Sequence, residues 1–493
     1  MSPLRPRART GTATRLPEDQ LALYGLAALM ALFFFLGLAW ILFADNIPWA
    51  DSDFYFRGAK SIADGNGYSH PFRADHPPTA FHPVGYPWLL GQLWQLLRLD
   101  TAGCDVSAWP QFGGCSAMIQ AGQVFNLLLA TANIGLVFAL AAILRNTRIA
   151  LLAAALYAVI PSRFFFTSAL MSEESFVTLV LLALIMVALS VRRPRWFYVT
   201  AVGFGLAVGA ATFIRPLGVI LLPLPLLLVF GHVVSLRRLV QYVAVAAVFA
   251  AMLIVPWEAR NARELGGPSV LISNNGGINL WIGCHLDSSG NLDASGHWED
   301  WWGASRPASI NTPDERFNDE EAQRLALDCM REQPFAFAKL SLIKGLYTFR
   351  EDWTYVSKWA LNRDLPEGNA QPVVSSAMED PMRYFANGVY FALLPLAAIG
   401  ALATFGTPAA HRGLLGVSFA LLGVVPLVFF GEPRFHVPLF PMLTIWSAEG
   451  LVVVWRGLQA GRSSPVPAST ARREGDRASS GVTQEWTEEP WPR

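Results

Sequence analysis

Residues 20–44 read QLALYGLAALMALFFFLGLAWILFA, with no charge between Gln20 and Ala44. At 1.5 Å per residue a helix of that length crosses a hydrocarbon core of about 30 Å. A cleaved secretory signal carries a shorter apolar run, about 7–15 residues, closed by small residues. The run therefore reads as a retained anchor. Arg5, Arg7, Arg9 and Arg15 precede it and place the 1–19 tail in the cytoplasm, because basic loops stay inside.

Further apolar segments lie near 117–144, 149–167, 175–191, 196–213, 216–233, 239–257, 383–405, 413–430 and 436–455, about ten in all. Arg145/Arg148, Arg192/Arg193/Arg195, Arg237/Arg238, His411/Arg412 and Arg456/Arg462 fall in alternate loops, so one face collects the positive charge. Both termini then lie in the cytoplasm. Two long polar stretches, 46–116 and 258–382, fall on the opposite face. They divide the chain into a transmembrane region 20–257 that includes the first stretch, the second stretch itself, and a C-terminal transmembrane region 383–455. The tail 456–493, rich in Ser, Pro, Arg and Glu, reads as disordered.

Composition agrees. Hydrophobic residues make up 53% of 493 and charged residues 15%, against about 25% charged in soluble domains. The expected fold class is an all-α polytopic membrane protein in the lipid bilayer. Lys+Arg and Asp+Glu are both 37, which leaves no basic surface for nucleic acid. The four cysteines, Cys104, Cys115, Cys284 and Cys329, all sit in the two external stretches, the disulfide-permissive side. Closure of a short loop favours Cys104 with Cys115, leaving Cys284 to Cys329. No CxxC or clustered His suggests zinc.

Candidate chemistry collects on the outer face. Phe54, Tyr55, Ala59, Ile62 and Ala63 repeat at helical spacing, and Asp51 and Asp53 lead that helix. One of them suits an N-cap; two residues apart on a helix they cannot share one task, which leaves the other as a candidate general base. Arg215 and Arg434 stand between apolar runs, either snorkelling or holding a phosphate with their forked donors. Arg260 and Lys344 are further cations at this level, Lys344 in an apolar interfacial or re-entrant segment, 335–349. Ser273 to Asn279 reads as a turn rather than an anion cradle. Trp281, Trp298, Trp301, Trp302, Trp353 and Trp359 read mostly as interface anchors.

The sequence resembles the GT-C class of membrane glycosyltransferases, on the branch of bacterial protein O-mannosyltransferases and lipid A aminoarabinose transferases (glycosyltransferase family 39-like). The matching elements run in order: Asp51 with Tyr55, Ala59 and Gly65-Asn-Gly67-Tyr68; Thr79-Ala80 with His82 through Pro83-Val-Gly85-Tyr86-Pro87; Met171-Ser-Glu173; Ile214-Arg215-Pro216; Pro256-Trp257 with Arg260-Asn261; and Gly431-Glu-Pro-Arg434-Phe435. The resemblance implies an inverting transfer from a polyprenyl-phosphate-linked sugar donor to a cell-envelope acceptor, which is a lipid, glycan or protein, at the extracytoplasmic face of the plasma (inner) membrane. It implies an aspartate base in the first external loop and arginines on the donor phosphate. Asp51, four residues before Tyr55, fits the base. Asp53, directly before Phe54, is the better-placed cap. Partial burial is expected to raise the Asp51 carboxyl and strengthen it. Glu173 orients an arginine or the acceptor, with Tyr55, His82 and Tyr86 beside it. The two aspartates are not a nucleotide-sugar DxD, and a divalent metal is left open. The competing readings are another lipid-linked glycan enzyme (a polymerase or ligase) and a lipid or glycan transporter. Span centres without charge and the lack of an internal repeat speak against the transporter.

Overall fold

The computed structural model describes residues 18–73, 75–107, 110, 112–230, 234–267, 272–285, 307–363, 365, 372–404 and 409–463. The basic N-terminal tail up to residue 17, the 464–493 tail, Trp298, Trp301 and Trp302 lie outside them. The described chain is helical, with two isolated bridges, Ser69 to Pro78 and Asp105 to Gly113. Met1–Val453 is one compact unit; the second starts at Val454, inside the last helix.

The first unit opens with α1 (Glu18–Phe43), α2 (Asp51–Ala63) and α3 (Gly85–Leu96). Next come α4 (Ser116–Leu144), α5 (Thr147–Ala158), α6 (Pro161–Phe166), α7 (Glu173–Arg192) and α8 (Phe197–Ile214). Two 3-10 turns, Pro216–Leu221 and Leu224–Leu226, lead into α9 (Leu227–Phe230) and α10 (Leu236–Glu264). The second long polar stretch supplies α11 (Gly276–Gly283), α12 (Glu315–Glu332), α13 (Pro334–Phe349) and α14 (Thr354–Ala360). The chain closes with α15 (Ser376–Ala403), α16 (Ala409–Val428), the 3-10 turn Pro433–Leu439 and α17 (Phe440–Ser463).

Among the described residues seven helices are long and apolar enough to cross a membrane. They account for seven of the ten segments read from sequence. The other three form shorter apolar helices, Thr147–Ala158, Pro216–Leu226 and Gly413–Val428. Proline explains two of these: Pro161 starts a new helix after α5, and Pro216, Pro223 and Pro225 cannot donate to an α-helical ladder. One apolar segment carries a charge near its basic end. Glu449 of α17 is buried and pairs with Arg145 at the end of α4, so the charge is tolerated because it is partnered.

The two long polar stretches fold onto the helix ends rather than lying loose. On α2, Phe56 and Ala59 are buried against α3 and its surroundings. Gly85 starts α3 where a Cβ would lie 2.5 Å from the Phe213 carbonyl oxygen. Only glycine permits that approach, and it seats the Pro83–Pro87 element on the end of α8, beside Arg215. The cysteines pair Cys104–Cys115 and Cys284–Cys329, the first at the foot of α4 and the second tying α11 to α12. Ser273–Asn279 docks the second stretch on the first: the Asn274 amide donates to the Ala80 carbonyl at 2.7 Å. The Gly277 and Ile278 amides are spent on the Asp319 carboxylate, at 2.7 and 3.2 Å. Trp281, Trp353 and Trp359 are buried in protein, at 3%, 1% and 3% exposure, and this corrects their reading as interface anchors.

Candidate active site

Asp51 is the first residue of α2. Neither aspartate caps the helix: the cap position is Ala50, with φ of 49° and no side-chain cap bond. The Ser52 hydroxyl instead accepts from the Trp49 amide at 2.7 Å and donates to its carbonyl at 2.8 Å. That frees the Asp51 carboxylate to meet Arg434, whose Nη1 donates to Oδ2 at 2.8 Å. Arg434 Nε donates to Glu432 at 2.6 Å, and the guanidinium carbon lies 4.4 Å from the Trp359 ring centre. Asp51 is 28% exposed at its side chain, Arg434 11% and Glu432 6%. The carboxylate thus keeps an open side while its arginine is enclosed.

A second pair stands at the start of α7. Arg215 donates through Nη2 to Glu173 and through Nε to the Ser172 hydroxyl at 3.1 Å. Glu173 is fully buried. Tyr55 lies within the field of both pairs, Asp51 with Arg434 and Glu173 with Arg215. Its ring meets His82 at 5.6 Å and Tyr86 at 5.5 Å, and the Tyr86 hydroxyl donates to Asn126 at 3.0 Å. So Asp51, Tyr55, His82, Tyr86, Glu173, Arg215 and Arg434, from five separate parts of the chain, gather at one end of the helices. Behind Glu173, the buried Glu174 pairs with Arg163 at 3.1 Å and receives Asn133 at 2.8 Å, which fixes the first turn of α7.

The electrostatics correct one expectation. Burial pushes the Asp51 carboxyl up, but the charges of Arg434, His82 and Lys358 and the Arg434 hydrogen bond outweigh it and hold it at about 2. Asp51 is a firmly ionised carboxylate, not one made basic by burial. Asp53 behaves in the opposite way. It is buried and faces Arg57 of its own helix at 2.6 Å; burial raises it to about 6, with Arg57 only partly opposing. It is therefore neither cap nor member of the cluster, but half of an internal ion pair. Burial also lifts the Tyr55 hydroxyl to about 12, with Asp51 adding to the rise. His82 is lowered by burial, against the pull of Asp51.

Two expected phosphate ligands are otherwise engaged. Arg260 donates to the carbonyls of Thr79 and Tyr68, both at 2.8 Å, and so clamps α10 to the first external stretch. Lys344 donates to the carbonyls of Gly283, Val428 and Phe429 at 3.1, 3.2 and 2.9 Å, and it satisfies the C-terminal ends of α11 and α16. Among the described residues no group of three or more His, Cys, Asp or Glu side chains is arranged to hold a metal; the carboxylates of the cluster face arginines. Sequence reading did not single out Glu432, Lys358, Asn126 or Arg163, and took Trp359 for an anchor. Glu432 stands inside the Gly431–Arg434 element, and its neighbour's guanidinium was the available signal. Lys358 and Trp359 carry no such mark, because it is the fold of α14 that brings Trp359 to Arg434 and Lys358 into the field of Glu432 and Asp51.

No protein-family model matches the chain, and no curated protein does. Solved structures do. The apo oligosaccharyltransferase of Archaeoglobus fulgidus matches 90% of this chain with a TM-score of 0.53 and 14% identity, over 52% of its own length. The same organism's oligosaccharyltransferase AglB, in complex with an inhibitory peptide and a dolichol-phosphate, matches 92% with a TM-score of 0.51 and 14% identity, over 52% of its length. ArnT from Cupriavidus metallidurans, bound to undecaprenyl phosphate, reaches a TM-score of 0.41 at 13% identity, over 90% of this chain and 80% of its own, an overlap that carries no argument. The chain spans about half the length of the oligosaccharyltransferase it matches. What the two oligosaccharyltransferase likenesses show is the fold: the all-helical, multi-span architecture of those structures.

Proposed function

We propose that this chain is an inverting glycosyltransferase that moves a sugar from a polyprenyl-phosphate donor to a cell-envelope acceptor at the extracytoplasmic face of the plasma membrane. The observation that carries this reading is the convergence of two arginine–carboxylate pairs, Asp51–Arg434 and Glu173–Arg215, around Tyr55 at one end of a GT-C-like helix bundle. The acceptor oxygen attacks the anomeric carbon from the face opposite the phosphate. The bond from that carbon to the phosphate oxygen breaks, its electron pair leaves with the phosphate, and the acceptor proton passes to the Asp51 carboxylate. The leaving phosphate gains a negative charge, and positioned cations stabilise developing charge of that kind. Arg434 and Arg215 take that role.

The low pKa of Asp51 belongs to the ligand-free pairing. A donor phosphate competes with Asp51 for Arg434, and a carboxylate with a weaker arginine contact is a stronger base. Donor binding therefore readies the base, and the acceptor hydroxyl is activated only when a donor is present. Arg215 stays on Glu173, which orients it.

The test is sugar transfer from a polyprenyl-phosphate sugar by purified variants. Asp51→Asn keeps the shape and removes the proton acceptor, so kcat falls by about 10²–10⁴ while donor binding persists. Asp53→Asn keeps activity. An active Asp51→Asn beside an inactive Asp53→Asn reverses the assignment, and two active variants remove the first external loop from the chemistry. Mass spectrometry of envelope glycans from cells with and without the protein identifies the transferred sugar.

A further inference from the structure

Beside the cluster lies a second, fully buried polar group: Ser162, Asp352, Tyr355 and His436 are each at most 1% exposed. His436 Nε2 meets Asp352 Oδ1 at 2.9 Å, and Nδ1 meets the Thr348 carbonyl at 2.8 Å. The carbonyl can only accept, so Nδ1 carries a hydrogen, and a second lies between Nε2 and the carboxylate. Tyr355 donates to Asp352 Oδ1 at 2.7 Å, Ser162 donates to Oδ2, and the Asp352 amide donates to Asn387 of α15 at 2.7 Å. The imidazole stacks on Tyr390, centroids 4.9 Å apart and planes 17° off parallel. The Ser162 hydroxyl donates to the aspartate and not to the histidine, so no imidazole base stands on it. The trio is not a hydrolase triad.

Its place in the chain gives it a task. His436 and Arg434 share one 3-10 turn, Pro433–Leu439. At about three residues per turn, residues two apart leave the turn in different directions, so the face locked at His436 sets where Arg434 points. Asp352 stands two residues before α14, which carries Trp359, the ring under the Arg434 guanidinium. One bond thus joins the turn that holds the arginine to the segment that holds its aromatic floor.

We infer that the His436–Asp352 pair positions Arg434 for the donor phosphate, an assignment that rests on the phosphate reading of Arg434. His436 touches no substrate; it is a positioning residue. The experiment measures binding of a short-chain polyprenyl phosphate, together with transfer kinetics, on the full-length protein in detergent. His436→Asn places an amide near Nδ1, keeps the Thr348 bond and loses Asp352. His436→Gln reaches the Nε2 position and keeps Asp352. His436→Asn is expected to raise the probe Kd about tenfold, in the range for residues acting through another, and to lower kcat/KM by at least as much, because Arg434 also steadies the leaving phosphate. His436→Gln stays near wild type. Added to Arg434→Gln, His436→Asn weakens binding no further, because there is no arginine left to position. An equal loss in both backgrounds marks a merely structural role and overturns the inference. So does a silent His436→Asn beside a weakened Arg434→Gln. If His436→Asn does not fold, His436→Gln decides: tenfold weaker binding there overturns it. If Arg434→Gln binds the probe as wild type does, the phosphate reading falls first and takes this inference with it.

Discussion

Asp51 and Asp53 are the same residue type two positions apart, and their surroundings give them opposite character. Asp51 has Arg434 on one side and an opening on the other; Asp53 has burial and a single partner. The consequence for Asp53 is measurable. Its folded pKa lies at about 6, above the ordinary 3.8, so the folded state holds the proton more tightly than the unfolded chain. The cost of burying the ionised form is absent below about pH 4 and complete above about pH 6. At 1.36 kcal/mol per unit this amounts to about 3 kcal/mol. Asp53→Asn removes it, and Arg57 keeps its contacts over Phe72 and Phe112. The melting midpoint of Asp53→Asn should therefore exceed wild type at pH 7, with the gap closing as pH falls towards 4. A gap independent of pH contradicts this account of Asp53. At this scale the sequence made the candidates legible but not their partners. Arg215 and Arg434 declared themselves as charges in apolar surroundings, whereas Arg260, in a wetter position, and Lys344, in an apolar segment, proved to be occupied by backbone carbonyls. A side chain's type is local information; the carbonyls it meets come from residues far along the chain.

Apolar length found the helices, and their packing was harder to read. At the crossing of α15 and α17, a Cβ on Gly400 would lie 1.8 Å from the Trp446 carbonyl oxygen, and one on Gly450 2.0 Å from that of Leu396. Small residues let helices in a membrane approach this closely, and dispersion and weak polar contacts between the backbones hold them. Gly450→Ala should destabilise the detergent-solubilised protein by about 1–3 kcal/mol, the usual cost of overpacking. Gly423→Ala is the control. Its Cβ side is open, and alanine in a helix gains about 0.5–1 kcal/mol over glycine. Equal melting midpoints for the two variants refute the crossing. The sequence carries these glycines among many others, and nothing local separates the pair at a crossing from one that faces open space. The broken segments are the converse case. Pro161 and the prolines between 216 and 225 were visible from the start, but apolar length alone read through them.

The two ends of the first unit can be told apart by what meets there. At one end Asp51, Glu173, Arg215 and Arg434 gather. At the other, Thr147 donates to Asp19, Arg192 donates to the carbonyls of Ala142 and Ile143, and Arg145 pairs with Glu449. The start of α7 lies at the first end and the start of α5 at the second, so the short, broken α5–α6 segment runs the length of the bundle, as the long helices do. The same holds for 216–230, which leaves from Arg215 and returns to α10 at Ser235. The alternation of the arginine-bearing loops is then a property of the fold as well as of the sequence, and it carries the orientation we propose: the basic end towards the cytoplasm and the cluster towards the outside. Cysteine labelling tests that orientation cleanly, because among the described residues no cysteine is free. Asn66 and Glu332 are exposed in the two external stretches, and Arg193 is exposed between α7 and α8. An impermeant thiol reagent on intact cells should label Asn66→Cys and Glu332→Cys, and should reach Arg193→Cys only after permeabilisation. The reverse pattern would put the cluster in the cytoplasm. Labelling of Asn66→Cys without Glu332→Cys would mean that one of the two broken segments fails to cross, since the four long helices between the stretches return the chain to the same face only if both short segments cross or neither does.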